Sequence, residues 1–252
     1  MSAAAVTPTA ATTLGPAQSA TDRRRATSAS AGPTALELAP WLARHPRKYP
    51  GPGRVYRRVK RFLDVGIVAA TAPVWATAYA ACALAVKLDS PDGPVHFAQE
   101  RTGTAGERFR LYKLRTMVPD AEERKDSLAH LNERAWPDFK ISDDPRITVV
   151  GRVLRASSLD ELPQLFNVLR GDLSLVGPRP WSKGLEDHED WHIERYGVSA
   201  GLTGLWQIAA RDAESFTERI RLDVAYAQRR SLLLDLELLL RTVPAVLRRQ
   251  GA

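Results

Sequence analysis

The feature that most constrains this chain is the run GIVAATAPVWATAYAACALAV, residues 66–86, which carries no charge. As one helix it would be about 31 Å long at about 1.5 Å per residue, close to the thickness of a bilayer's hydrocarbon. Arg54, Arg57, Arg58, Lys60 and Arg61 lead into it, as in a cytoplasmic juxtamembrane flank. Pro73 falls near its middle and bends a helix there by removing a backbone hydrogen bond. Three structures satisfy this pattern: a buried core helix, a straight span, and a kinked hairpin that enters and leaves by one face. Periodicity does not separate them.

Upstream, residues 1–35 are almost wholly Ala, Thr, Ser, Pro and Gly, and no aromatic residue precedes Trp41. Such a stretch buries too little apolar surface to offset the entropy of ordering it, so disorder is expected. It lacks the apolar core of a secretory signal. Pro40, Pro46, Gly51 and Gly53 among others mark 40–53 as linker. The division expected is a tail and linker over 1–53, a membrane-inserting helix with a proline break over 54–88, and a catalytic domain over 89–252.

That last part mixes signals. Short strands are expected near Val95–Phe97 and Arg108–Tyr112, around a Gly-rich turn at 102–106. Helices are expected over 119–134, 211–230 and the leucine-rich run from Leu232, bent at Pro244. The fold class expected is α+β, mainly helical. One cysteine, Cys82, excludes an internal disulfide and any cysteine-based zinc cluster. The formal charge of +7 favours an anionic partner: phosphorylated substrate, acidic lipid or nucleic acid. No nucleic-acid-binding motif accompanies that charge.

The strongest candidate for chemistry is Ser158-Leu159-Asp160-Glu161-Leu162-Pro163-Gln164. Leu162, Leu165, Phe166 and Leu169 repeat at helical spacing and predict an apolar stripe, with Asp160, Gln164 and Asn167 opposite. Pro163 fits a helix start and Gly171 its C-terminal cap. A structural account is a capping box from Ser158 to Glu161. The chemical account is that paired carboxylates supply a nucleophile and a ligand for a hard cation, provided basic groups stand near. Arg179, held between Pro178 and Pro180, and the run Tyr112-Lys113-Leu114-Arg115 supply such groups. Asp223 falls among apolar residues of one helix face and needs a partner; Arg219 and Arg221 are the nearby cations. His188-Glu189-Asp190-Trp191-His192 matches the H-E-x-x-H zinc pattern, but its acidic setting favours a solvated helix.

Taken in order, these segments resemble the bacterial sugar transferases, the monotopic phosphoglycosyl transferases. The residues that carry the likeness are Lys60 to Asp64, Phe97-x-Gln99-x-Arg101-x-Gly103, Lys113 to Met117, Asp143 to Thr148, Ser158 to Gln164, Ser174 to Pro180, Gly201 to Gln207, and Phe216 to Asp223 with Tyr226. The likeness covers about 54–249. Ala72 stands where the family has Ser, and Leu114 where Phe is common.

The resemblance implies transfer of a sugar-1-phosphate from a nucleotide diphosphate sugar, a UDP-sugar, to polyprenyl phosphate, priming exopolysaccharide or another glycan. Asp160 would be the nucleophile and Glu161, with Asp160, would hold Mg²⁺. Lys113, Arg115, Arg179 and Asp223 would serve the substrate. It further implies a monotopic domain on the inner membrane facing the cytoplasm. A re-entrant helix broken at Pro73 and amphipathic interfacial helices would anchor it, with a homodimer among its assemblies. The alternative is a non-enzymatic scaffold bound to acidic lipids through 54–61.

Overall fold

In the computed structural model, residues 33–48, 53–133, 139–182, 184–185, 189–210 and 215–247 are described. Helix α1 (Ala35–Leu38) opens with Thr34 and Glu37 capping each other's backbone N–H groups. A 3₁₀ turn, Pro40–Arg44, follows. Ala39 and Leu42 are fully buried, His45 Nε2 lies 2.8 Å from Glu237 Oε2, and Arg229 donates to the His45 carbonyl at 2.9 Å. Residues expected as tail and linker are thus a packed strap as far as 45, because one apolar and one polar anchor outweigh the Pro-rich composition. Residues 1–32 and 49–52 lie outside the described part.

Helices α2 (Arg54–Ala70) and α3 (Ala72–Asp89) meet at Thr71 and are bent by 62°. Among the described residues no single helix is long and apolar enough to cross a membrane; this bent pair, taken together, has the length and composition. The break falls at Thr71 rather than at Pro73, which occupies the first turn of α3, where its missing N–H costs nothing. The Thr71 hydroxyl donates to the Ile67 carbonyl (2.7 Å) and Trp75 Nε1 to the Val68 carbonyl (2.9 Å). The acceptors at the end of α2 are therefore satisfied by side chains.

The apolar pair is mostly exposed, and only its Val68 and Val86 are buried in the core. Phe62, Val74, Leu84 and Leu88 are exposed, which removes the buried-helix account of 66–86. What α2 buries is a polar seam, Lys60 and Asp64, with Val68. Lys60 Nζ donates to Asp235 Oδ2 (3.0 Å) and Tyr56 Oη to the same oxygen (2.9 Å), while Tyr226 Oη donates to Asp235 Oδ1 (2.6 Å). Asp64 Oδ1 accepts from the Leu175 N–H at 3.2 Å. These bonds join α2 to β3 (Ser174–Val176) and to α8 (Leu232–Leu247).

Strands β1 (His96–Thr102) and β2 (Arg108–Leu114) form an antiparallel hairpin running from His96 opposite Leu114 to Thr102 opposite Arg108. Ala105 and Gly106 take positive φ to turn it. The helix expected over 119–134 is a set of turns ending in the 3₁₀ segment Asp126–Leu131, since charge alternates there without an apolar stripe to dock. Helix α4 (Val149–Ser157) is capped by Thr148, and α5 (Gln164–Arg170) ends at Gly171 with φ 101°.

Strand β3 pairs in parallel with β4 (Gly201–Thr203). The backbones touch here: a Cβ on Gly201 would lie 2.1 Å from the Gly177 nitrogen, and one on Gly204 2.4 Å from the Gly177 oxygen. Helices α6 (Leu205–Ala209) and α7 (Phe216–Arg229) precede α8. Residues 211–214, expected in α7, lie outside the described part. Helix α8 buries Leu234 and Leu238 and exposes Leu233, Leu236 and Leu240, so it is core on one face only. The main core joins Leu42, Val68, Leu111, Val168, Leu205, Leu222, Tyr226 and both buried leucines of α8; Val86, Leu114 and Leu154 form a second cluster. The fold is α+β and mainly helical.

Candidate active site

Helix α4 stops at Ser158, which adopts φ 58°. A non-glycine residue in the left-handed region is strained, and strain of this kind gathers at functional turns. It redirects the chain into a single 3₁₀ turn, Leu159–Glu161, so Asp160 and Glu161 precede α5 instead of lying within it. Ser158 makes no side-chain cap, so the expected capping box is absent.

The stripe expected on α5 is only half kept: Leu162 and Leu165 are half-buried, Leu165 against the main core. Phe166 and Leu169 are exposed, whereas Gln164 and Asn167 are buried. The reason is hydrogen bonding: Asn167 Oδ1 accepts from the Tyr112 N–H (3.1 Å) and Nδ2 donates to the Arg110 carbonyl (2.8 Å). That amide satisfies the edge of β2 and holds the dyad against the strand that carries Lys113. Phe166 packs edge-on against Trp75 and Tyr79 of α3.

Glu161 sits in a cationic fork. Lys113 Nζ donates to Oε1 at 2.9 Å, and Arg179 engages both oxygens, its Nη1 donating to Oε2 at 3.3 Å and its Nη2 to Oε1. Burial opposes the charge, but Arg179 and Lys113 hold this carboxyl well below the usual carboxylate range. Asp160 is 7% exposed, with Lys113 Nζ 3.8 Å from Oδ2. Burial raises its pKa, Lys113 pulls it back and the Glu161 charge adds to the rise. The two neighbours therefore differ: Glu161 is pinned and saturated, while Asp160 is only loosely engaged and so has oxygens to spare for an electrophile.

Arg115 does not join them. Its guanidinium donates to the Pro94 carbonyl, the Ser90 hydroxyl and the Ser90 carbonyl at 2.6, 2.8 and 2.6 Å, buried beneath Gly93. Strand β2 ends at Leu114, so the alternation that would align Arg115 with Lys113 is lost. Arg155 stands beside Asp160 in the role expected of Arg115. Burial lowers its pKa and the Asp160 charge counteracts this, with Nε donating to Thr116 Oγ1 at 2.9 Å. Its position on the last turn of α4, five residues before Asp160, was the available signal.

Asp223 is 1% exposed and pairs with Arg195 Nη2 at 2.6 Å, with the Arg219 charge also acting on it. The same nitrogen donates to the Arg179 carbonyl at 2.6 Å. Asp223 thus acts on the loop that carries Arg179 rather than on the dyad. Of the zinc pattern, His188 lies outside the described residues. Asp190–Gly197 is a 3₁₀ helix, and His192 Nδ1 accepts from the Glu189 N–H at 3.1 Å as a cap.

A paired acid inside a cluster of cations is the arrangement the sequence led one to expect. The profile described as "Bacterial sugar transferase" matches residues 55–249. The chain belongs to that family. It is 43% identical over 204 residues to the UDP-glucose:undecaprenyl-phosphate glucose-1-phosphate transferase of Caulobacter vibrioides, covering 77% of this chain and 71% of that protein. It is 44% identical over 172 residues to the undecaprenyl-phosphate galactose phosphotransferase of Salmonella typhimurium, covering 66% and 36%. With galactosyl transferase CpsE of Streptococcus agalactiae it shares 41% over 198 residues, covering 77% and 43%. The chain therefore spans less than half the length of these last two members of the family.

Proposed function

We propose that this protein transfers a sugar-1-phosphate from a nucleotide diphosphate sugar, with UDP as the nucleotide, to polyprenyl phosphate. The observation that carries the reading is the dyad: Asp160 buried and loosely held, beside Glu161 fixed by Lys113 and Arg179. The names of the relatives in Salmonella and Caulobacter point to the same reaction class.

An Asp160 oxygen attacks the phosphorus that bears the sugar. The bond from that phosphorus to the bridging oxygen breaks, and nucleoside monophosphate leaves with the electron pair. An acyl phosphate on Asp160 results. An oxygen of polyprenyl phosphate then attacks the same phosphorus, the aspartate carboxylate leaves, and a polyprenyl diphosphate sugar is formed to prime a glycan. Lys113, Arg155 and Arg179 offset the repulsion between carboxylate and phosphate.

Among the described residues no three His, Cys, Asp or Glu side chains converge as a ready metal cage. Mg²⁺ is commonly held by one or two carboxylates with substrate phosphates and water completing its shell, and the dyad supplies that number of hard oxygen donors. Glu161 with Asp160 would hold the ion once Lys113 and Arg179 turn from Glu161 to the donor's phosphates; when bound, it would neutralise phosphate charge.

The exposed apolar faces of α2, α3 and α8 support insertion from the cytoplasmic side of the inner membrane, with the bent pair entering and returning by one face.

The test is to incubate the purified full chain with Mg²⁺ and a panel of UDP-sugars without lipid acceptor, then quench and weigh the intact protein. A mass increase of one sugar phosphate, lost in Asp160→Asn, is expected together with one equivalent of uridine monophosphate. No adduct with any UDP-sugar, or full turnover by Asp160→Asn, overturns the proposal.

A further inference from the structure

Lys113 and Arg179 are already occupied by Glu161, which makes the state of the remaining cations informative. Arg101 lies near the end of β1, on the same face of the hairpin as Gln99 and Phe97, and Phe97 stands opposite Lys113. Beyond it, Thr102 exchanges backbone hydrogen bonds with Trp181 (2.7 and 3.1 Å), which ties the end of β1 to the Pro178–Trp181 loop that presents Arg179. Arg101 therefore stands in the cationic cluster by virtue of two backbone pairings, not of a flexible reach.

Its own bonding is incomplete. The Arg101 Nη2 donates to the neutral Gln99 Oε1 at 2.5 Å, Nε is buried without a partner, and among the described residues no carboxylate lies within ion-pair distance. Burial and then the Arg179 charge push its pKa down to about 10, with Glu161 opposing and Arg108 adding to the fall. Around the dyad, two carboxylates thus face Lys113, Arg155, Arg179 and Arg101. A guanidinium left both crowded by like charge and short of acceptors is a seat for an anion.

We propose that Arg101 binds a phosphate of the nucleotide diphosphate sugar, and that it is the cluster's first contact because Lys113 and Arg179 are engaged by Glu161 until the donor arrives. This rests on the reading of the site as a phosphosugar transferase. Arg101 then relieves the donor's charge at one phosphate, and Arg179 and Lys113 are freed for the other as Glu161 exchanges partners.

The experiment uses the full chain in detergent and inorganic pyrophosphate as the probe, with thermal unfolding and calorimetric titration as readouts. Arg101→Gln is expected to unfold at the same or a higher temperature than wild type without ligand, because a repelled buried charge has been removed. Its pyrophosphate affinity is expected to fall about tenfold or more, with Arg101→Lys in between. Arg124→Gln, a change in an exposed ion pair with Asp120, is expected to bind as wild type. Affinity within twofold of wild type in both Arg101 variants overturns the proposal. So does a lowered unfolding temperature with unchanged affinity, which marks a structural arginine. If the phosphosugar adduct forms on wild-type Asp160 while Arg101→Gln still binds pyrophosphate normally, the role of Arg101 alone fails. Absence of the adduct counts instead against the proposed function.

Discussion

Asp223 shows how far one side chain's setting reaches. Its carboxylate meets Arg195 on one oxygen, while Oδ1 is buried without a partner. Burial pushes its pKa up to about 6, against the pull of Arg195. An unfolded aspartate titrates near 3.9, so between about pH 4 and 6 the native state binds more protons than the unfolded one. The stability contributed by Asp223 is fully present below that window and is lost as pH rises through it. Asp223→Asn lacks this slope. Its thermal unfolding in detergent, compared with wild type from pH 4.5 to 7, should show the wild-type advantage shrinking by about 2 kcal/mol as pH rises. Parallel profiles would contradict it. The sequence marked Asp223 because helical periodicity sets it among apolar residues. Its partner was not visible, because Arg195 comes from a 3₁₀ segment 28 residues away.

At the level of elements, the junction of α2 and α3 separates what composition reveals from what hydrogen bonding decides. A bend was legible from Pro73, but the chain turns at Thr71, where the Thr71 hydroxyl and the Trp75 indole cover the carbonyls of Ile67 and Val68. Thr71→Ala with Trp75→Phe should therefore cost about 1–3 kcal/mol, roughly 0.5–1.5 per hydrogen bond. Pro73→Ala, at a position whose N–H is unpaired in any helix, should cost less than about 1 kcal/mol. Reversible unfolding of the full chain in detergent measures both, and a larger loss from Pro73→Ala would return the break to the proline. The dyad tells a similar story. Its residues, its flanking Pro163 and its Gly171 cap were readable. The face of α5 was not, because an amide that completes a strand edge outranks the apolar pattern.

Seen as a molecule, the chain segregates its charge. Arg54, Arg57, Arg58 and Arg61, with Phe62 and Val65, line an open groove of about 670 Å³ along α2. Arg61 is committed to the carbonyls of Val168 and Leu169, the latter at 2.7 Å. The other three are available to acidic headgroups at about 1 kcal/mol each. Replacing Arg54, Arg57 and Arg58 with Gln should weaken binding of the full chain to anionic phospholipid vesicles by about 3 kcal/mol near physiological salt, and leave binding to zwitterionic vesicles unchanged. Equal loss on both would assign these arginines to the fold. The basic flank and the apolar run were plain in the sequence. The burial of Lys60 and Asp64 on the same helix was not, since it depends on Asp235 and on the Leu175 N–H.

A two-stranded hairpin normally offers its free rim to any passing strand, and a second copy of the chain would be the commonest visitor. Here the Asn167 carboxamide already spends, on Arg110 and Tyr112, the acceptor and donor such a visitor would need. The β2 rim is therefore closed to an incoming strand at this point, and Lys113, one residue beyond the seal, keeps its place.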